Sequence, residues 1–471
     1  RSRGFSKVSM KLITFSLWGQ NPKYLVGAIR NAELAKQIYP DWICRFYVGQ
    51  SVPSQIIFQL ERFENVQIVQ RPEFGDWRGM FWRFLPASED DVEVMISRDT
   101  DSRLSYREKA AVDEWLASKK ALHIMRDHPY HRYPILGGMW GVKKGAITDM
   151  KEMLNSFDQK DAYGTDYQFL ADNIINKLDR KNMMVHDEFF GSIGRCFPEE
   201  RKGLEFVGKV FDENEQTVAE HEQVLQSYLK HDQKDIYVYH HLGLGDHLDC
   251  NAICRALVNE HRYKKVNVFA KTHYSKMIEF MYRDEPRINV IPVDKNNEAM
   301  DIRKILSSKL NPRLIKIGHD EYPWGREKEL NKGCAEIFYD LAGMEYHRRF
   351  DEFYFDRDPI EEERLLKKLN PENKPYVFVH DDPARGYEIP LEKIKDMVGD
   401  RIIIKNDISE NMFYFCKILE NADQIHCMES SFRSLVETLN PQGKLYFHNF
   451  RSAASGFLGN STQQPWQEIK W

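Results

Sequence analysis

Short apolar runs alternate with longer stretches of mixed polarity along the chain, and polar or glycine-containing residues close each run. Met10-Lys-Leu-Ile-Thr-Phe15 reads as a strand, with a helix over about 24–38 behind it. Val92-Glu-Val-Met-Ile96 reads as a further strand, because β-branched and long apolar side chains favour that state. Residues 236–239, 266–270, 288–291, 376–379, 401–404 and 424–428 follow the same pattern, and the turn at 240–247 leads into a helix from Leu248 onward. Strand and helix in alternation predict an α/β fold with parallel sheets and right-handed crossovers.

Between 212 and 234 the chain turns polar, while Val218, Val224, Leu225 and Leu229 keep a partial helical period, which predicts a linking helix. Two domains are expected, 10–230 and 232–471, the second in halves of about 232–355 and 372–471 on either side of a charged stretch. A chain of 471 residues is too long for one ordinary core. Its 67 basic and 72 acidic residues leave a net charge of −5, so no electrostatic pull toward nucleic acid is expected. Seven cysteines, an odd number spread mostly singly, make no disulfide framework and fit a reducing compartment. No apolar run is long enough to span a membrane. The opening Arg1 to Ser9 is charged without an apolar stretch and is no secretory signal, so Met10 is the expected start of a cytoplasmic enzyme.

Candidate chemistry sits behind the strand at 92–96, in Asp99-Thr100-Asp101-Ser102. A strand ending in Asp-x-Asp delivers two carboxylates to the sheet edge where open α/β folds bind ligands. Hard oxygen donors suit Mg²⁺ or Mn²⁺, which usually complete their shells with substrate phosphates. A solvated turn is the plain alternative, since Asp and Ser are also turn residues. His123, Asp127, His128 and His131 match no zinc spacing and read as a polar active-site loop.

The order of motifs around Asp-x-Asp, over about 10–225, resembles metal-dependent glycosyltransferases of the GT-A type, the glycogenin-like ones especially. Trp77-Arg-Gly-Met-Phe-Trp-Arg-Phe-Leu-Pro86 is similar to the segment before their Asp-x-Asp strand. Ile135-Leu-Gly-Gly-Met-Trp-Gly-Val142 is similar to the strand that admits the donor sugar, and Tyr163-Gly-Thr-Asp-Tyr-Gln-Phe-Leu170 to a later acidic helix start. The resemblance implies Asp99, Asp101 and His186 as metal ligands, and Arg83, Gly137 and Gly138 on the donor. Asp166 would position or deprotonate the acceptor, with Arg83 adding charge to the leaving group. Thr165-Asp166-Tyr167 departs from the glycogenin-like Asp-Gln-Asp and leaves retention or inversion open. Gly137 and Gly138 also fit a strand bulge, Asp166 a helix first turn, and His186 a structural role.

In the second domain His240-His-Leu-Gly-Leu-Gly-Asp-His247 lacks the third glycine of a dinucleotide fingerprint. The run resembles the first loop of GT-B glycosyltransferases, heptosyltransferase-like and fucosyltransferase-like, implying Gly243, Gly245, Asp246 and His247 on the acceptor side. Glu429-Ser-Ser-Phe432 resembles their donor-diphosphate loop and implies Glu429, Ser430 and Ser431 as donor contacts, with Arg385 and Lys405 as phosphate partners. A plain strand-to-helix turn and a serine N-cap are the structural alternatives.

The joint implication is a bifunctional glycosyltransferase using nucleotide-sugar donors on a growing surface glycan, free or lipid-linked. Its first domain would use Mn²⁺ or Mg²⁺ and its second no metal. The lipid-linked acceptor would bring it to the membrane periphery. One alternative is a single GT-A transferase with a C-terminal glycan-binding or assembly module. The other is a sugar nucleotidyltransferase, disfavoured because Ser16-Leu-Trp-Gly-Gln20 is no glycine-rich loop.

Overall fold

The computed structural model describes residues 9–158, 164–232, 234–382, 386–450 and 462–470. The chain forms two compact units, Arg1–Gln233 and Lys234–Trp471. No described helix is long and apolar enough to cross a membrane. All seven cysteines are free thiols.

The first unit is built on β1 (Met10–Leu17), β2 (Ile43–Val48), β3 (Val66–Gln70), β4 (Val92–Ser97), β5 (Leu122–Arg126), β6 (Trp140–Lys143) and β7 (Met183–Asp187). They form one sheet in the order β3-β2-β1-β4-β6-β5-β7. β6 runs antiparallel to both neighbours, and the other pairs are parallel. The alternation along β1 divides the unit into two cores. Ile13, Phe15 and Leu17 face the apolar stripe Leu25, Ala28, Ala32 and Ala35 of helix Pro22–Ile38, and Phe15 stacks on Phe46 at 4.7 Å. Leu12 points to the other face, where Phe84, Trp140 and Phe169 pack. Thr14 and Ser16 share that side of the strand and carry hydroxyls into the hydrogen-bonding network.

The second unit holds two parallel sheets. β8 (Asp235–Tyr239), β9 (Lys265–Lys271), β10 (Ile288–Val293) and β11 (Arg313–Lys316) pair in the order β10-β9-β8-β11. β12 (Tyr376–His380), β13 (Ile402–Lys405), β14 (Gln424–Cys427), β15 (Lys444–Asn449) and β16 (Gln467–Lys470) pair as β13-β12-β14-β15-β16. Both units are therefore α/β.

Two local expectations are corrected. The segment 135–142 is a strand only from Trp140, and Gly137 and Gly138 lie in the bend before it. The helix after β8 starts at Leu244 rather than Leu248. Asp246 is the third helical residue, and its Oδ2 accepts the Gly243 N–H at 2.7 Å, satisfying a donor that would otherwise be orphaned at the helix start. Leu248 is buried within the same helix, so the apolar period begins a turn earlier than the glycines suggest.

Because each unit has its own apolar core, fragments 9–232 and 234–470 are expected to fold separately. Cooperative urea unfolding of each fragment, read by circular dichroism, checks this; a molten fragment would show that its core is incomplete.

Candidate functional sites

In the first unit five charged side chains converge beyond the carboxyl end of β4. Arg83 lies in the 3-10 helix Trp77–Ser88, whose backbone is tied to β1 by Arg83 N–H donating to Ser16 Oγ at 3.1 Å. Its guanidinium bridges two acids, pairing closely with Asp99 and reaching Asp166 Oδ2 at 3.5 Å. Burial alone would lower the guanidinium's pKa, and the charges of Asp99 and Asp166 more than offset it. Asp101 pairs with Lys23 Nζ at 2.7 Å. Burial, and then the charge of Asp99, push the Asp101 carboxyl up against the pull of Lys23. Burial likewise raises the Asp166 carboxyl despite Arg83.

Two glycines make this convergence possible. A Cβ on Gly138 would stand 2.0 Å from Asp99 Oδ2, and one on Gly137 would stand 2.2 Å from Asp166 Oδ2 and 2.6 Å from Arg83 Nη2. Ser97 Oγ donates to the Gly137 carbonyl at 2.7 Å and holds this bend against β4. Asp166 sits in the first turn of helix Thr165–Asn173, which Gly164 enters at φ 84°, a left-handed conformation that favours glycine.

The carboxylate loop is clamped from below by Asn31, a residue the sequence patterns did not single out. Its Nδ2 donates to the carbonyls of Gly27, Thr100 and Ser102, and its Oδ1 accepts the Leu104 N–H. Gly27 allows this approach, since a Cβ there would lie 1.9 Å from the Thr100 carbonyl oxygen. A buried polar residue at the centre of an otherwise apolar helix stripe was the available signal.

Asp99 and Asp101 fit a divalent ion. They are paired oxygen donors whose mutual repulsion an ion would relieve, and the Asp99 side chain remains 47% exposed for phosphate and water ligands. His186 does not join them. It is fully buried on β7, its Nδ1 bonded to His123 Nε2 at 2.8 Å and its Nε2 to Glu114 Oε2 at 3.2 Å. Both ring nitrogens are engaged, and that is the structural role. His123, His128 and His131 belong to no group of metal-capable side chains among the described residues. Asp127 is held by Arg107 at 2.9 Å and Arg201 at 2.6 Å, while His128 bonds the His221 carbonyl at 2.9 Å.

In the second unit a cleft of about 1360 Å³ brings together Gly243, Gly245, Asp246, Lys405, Glu429, Ser430 and Ser431. A Cβ added to Gly245 would stand 3.5 Å from Ser434 Oγ and 3.6 Å from Ser431 Cα, so the helix starts after β8 and β14 meet closely there. Ser430 is the N-cap of helix Ser431–Val436, accepting the Arg433 N–H at 3.4 Å. Lys405 pairs with Asp381 at 2.9 Å. Burial and then Asp249 push the Asp246 carboxyl up to about 7. His247 does not face the cleft. It packs edge-on to His240 at 4.4 Å, and burial drives its imidazole down to about 3. Arg385 lies outside the described residues.

Two cleft arginines add to the predicted set. Arg349 donates to Asp249 at 2.6 Å, and Arg433 is lowered by burial and by Arg349, against the pull of Glu437. Both guanidiniums are buried and line the cleft, and arginine is suited to anions. Arg433 follows the Glu429-Ser-Ser-Phe run directly, whereas Arg349 is remote in sequence and carried no motif.

No protein-family model and no curated protein sequence matches the chain. Among solved structures it is similar to a family 9 glycosyl transferase from Veillonella parvula, at 10% identity and TM-score 0.34, over 51% of this chain and 87% of that one. ADP-heptose LPS heptosyltransferase II from E. coli is similar at 12% identity and TM-score 0.34, over 50% and 90%. A glycosyltransferase involved in glycosylation of the major capsid of PBCV-1 is similar at 16% identity and TM-score 0.27, over 38% and 82%.

Gly138→Ala is expected to displace the Asp99 carboxylate and weaken Mn²⁺ binding about 10- to 100-fold, measured by calorimetry, with the far-ultraviolet spectrum retained. Asn31→Ala, which removes the acceptor of the Leu104 N–H, is expected to cost about 1–3 kcal/mol in urea unfolding.

Proposed function

We propose that the chain is a glycosyltransferase with one transfer site in each unit, GT-A-like in the first and GT-B-like in the second. Each site would take a nucleotide-sugar donor, and the acceptor would be a growing surface glycan, free or lipid-linked, at the cytoplasmic side. The observation that carries this reading is the Asp99–Arg83–Asp166 bridge seated on the side-chain-free bend Gly137–Gly138, with Asp101 beside it. Together they offer the Asp99–Asp101 carboxylates for a cation, a guanidinium for phosphate and a backbone surface that a sugar can approach closely.

In the first unit Asp99 and Asp101 would hold Mn²⁺ or Mg²⁺, which neutralises charge on a leaving diphosphate when bound. Arg83 adds a fixed positive charge beside that leaving group without reorganising, because Ser16 and the Arg98 carbonyl already hold it. Asp166, raised by burial, is poised to orient an acceptor hydroxyl and take its proton. Gly137 and Gly138 leave room for the transferred sugar. In the second unit Arg433, Arg349 and Lys405 would meet the diphosphate with Ser430 and Ser431, so the donor side of this cleft needs no ion.

A second reading keeps only the first site active and makes the second unit a glycan-binding or assembly module. It draws on the pairing of Arg349 with Asp249 and Lys405 with Asp381, which already compensates part of the cleft's positive charge.

On the full chain, Asp99→Ala or Asp101→Ala is expected to abolish Mn²⁺-stimulated hydrolysis of a nucleotide sugar, while His186→Gln leaves the Mn²⁺ titration unchanged. Hydrolysis persisting at full rate in EDTA would overturn the first site. In EDTA a nucleoside diphosphate is expected to bind still, and Arg433→Ala to weaken it about 10- to 100-fold, the worth of one charged hydrogen bond of about 1.5–3 kcal/mol. Calorimetry in EDTA against a panel of nucleoside diphosphates decides between the readings: no binding at millimolar concentration favours the accessory module.

A further inference from the structure

The acceptor-side wall of the second cleft holds a donor set of a different kind from the first unit's carboxylates. His241 follows β8, Asp246 stands in helix Leu244–Asp249, and Cys334 opens helix Cys334–Ala342. One nitrogen, one oxygen and one sulfur from these three side chains lie within 4.8 Å of one another. Cys334 Sγ stands 3.8 Å from His241 Nδ1. A tetrahedral zinc ion with bonds of about 2.3 Å to sulfur and about 2.0–2.1 Å to nitrogen holds those atoms about 3.6 Å apart. The two groups already stand close to that separation.

We propose that His241, Asp246 and Cys334 bind a zinc ion, leaving at least one coordination position open to the cleft. All three residues line the cleft. Three protein ligands with an open position is the arrangement of zinc sites that engage a substrate or water. Mixed nitrogen and sulfur donors select zinc over the Mg²⁺ or Mn²⁺ suited to the first unit. The site is also held in shape without the ion. The His241 ring stacks on Trp324 at 4.6 Å and meets Tyr322 and Phe338 edge-on at 4.7 and 5.0 Å, which fixes its orientation. Asp246 is fixed by the Gly243 N–H, which leaves its other carboxylate oxygen for the ion. Cys334 is the one cysteine of the seven that is not buried. On binding, the thiol proton leaves to solvent and the thiolate sulfur bonds the metal. The ligand for the open position is an oxygen, from water or from an acceptor hydroxyl; only the second option rests on the glycosyl-transfer reading.

The test uses the full chain carrying Asp99→Asn and Asp101→Asn, so that the first unit's ion does not contribute. After removal of metal by chelator, titration with Co²⁺ is expected to saturate at one equivalent. The spectrum should show a thiolate-to-cobalt charge-transfer band and the intense visible bands of a four-coordinate ion, both bleached by Zn²⁺. Cys334→Ser, nearly isosteric and checked by its melting curve, should lose the charge-transfer band, and His241→Ala should weaken Zn²⁺ about tenfold or more. Absence of the band in the parent chain would overturn the site, as would its survival in Cys334→Ser. Should Cys334→Ser fail to fold, alkylation of the chain with and without Zn²⁺ decides: protection of Cys334 supports the site and unaltered reactivity overturns it. Loss of the donor-hydrolysis reading would leave these spectra unchanged.

Discussion

The first unit is organised around the cost of gathering acids beside one another. Asp99, Asp101 and Asp166 come together where the sheet ends, and two of them are pushed toward protonation by burial. Arg83 and Lys23 provide the compensating charge, one across Asp99 and Asp166, the other on Asp101. Much of the surrounding structure serves to keep these groups in place. Ser16 anchors the backbone of Arg83, Asn31 grips the carbonyls of the carboxylate loop, and Ser97 fixes the bend at Gly137. The buried Arg98–Glu108 pair, at 2.8 Å, ties the end of β4 to helix Tyr106–Ala117. With good geometry and a second partner in Tyr39, such a pair restrains its neighbours even where its net contribution to stability is small.

On the proposed reading the two units would meet negative ligands with different means. In the first, excess negative charge on the protein suits a cation shared with the substrate. In the second, Arg349, Arg433 and Lys405 line the cleft beside the acids Asp249 and Asp381, and these cations would belong to the protein. Arg433 is lowered by burial, with Glu437 drawing it up and Arg349 pushing it down. The same cleft is lined by the His241–Asp246–Cys334 set.

The histidines show how burial redirects residues that resemble ligands. His186 is fully buried, and both its ring nitrogens are met by hydrogen-bonding partners, His123 and Glu114. His247 is drawn inward against His240 and Tyr274. His241, one residue from His240, stays on the cleft wall because an aromatic cluster holds its ring there. Adjacent positions in one loop thus have opposite fates, decided by what packs behind them.

Local chemistry was strong enough to be read from the sequence where a motif and a strand end coincide. The apolar runs at β1, β4, β8, β9, β12 and β14 could bury themselves only as strands, and Asp99 and Asp101 had to follow β4 at the sheet edge. Glu429-Ser-Ser-Phe432 likewise had to open a helix behind β14. The short β6, the early start of helix Leu244–Asp249 and the antiparallel insertion between β4 and β5 were not legible, because they depend on partners brought from far along the chain. The roles of Asn31, Arg349 and Cys334 were hidden for the same reason. Each lies remote in sequence from the groups it meets, and only tertiary packing brings a hydrogen-bonding amide, a guanidinium or a thiol to those groups. Sequence alone could specify which chemistry stands at each strand end; the fold decided which of those groups share a site, because burial and distance are properties of the packed chain.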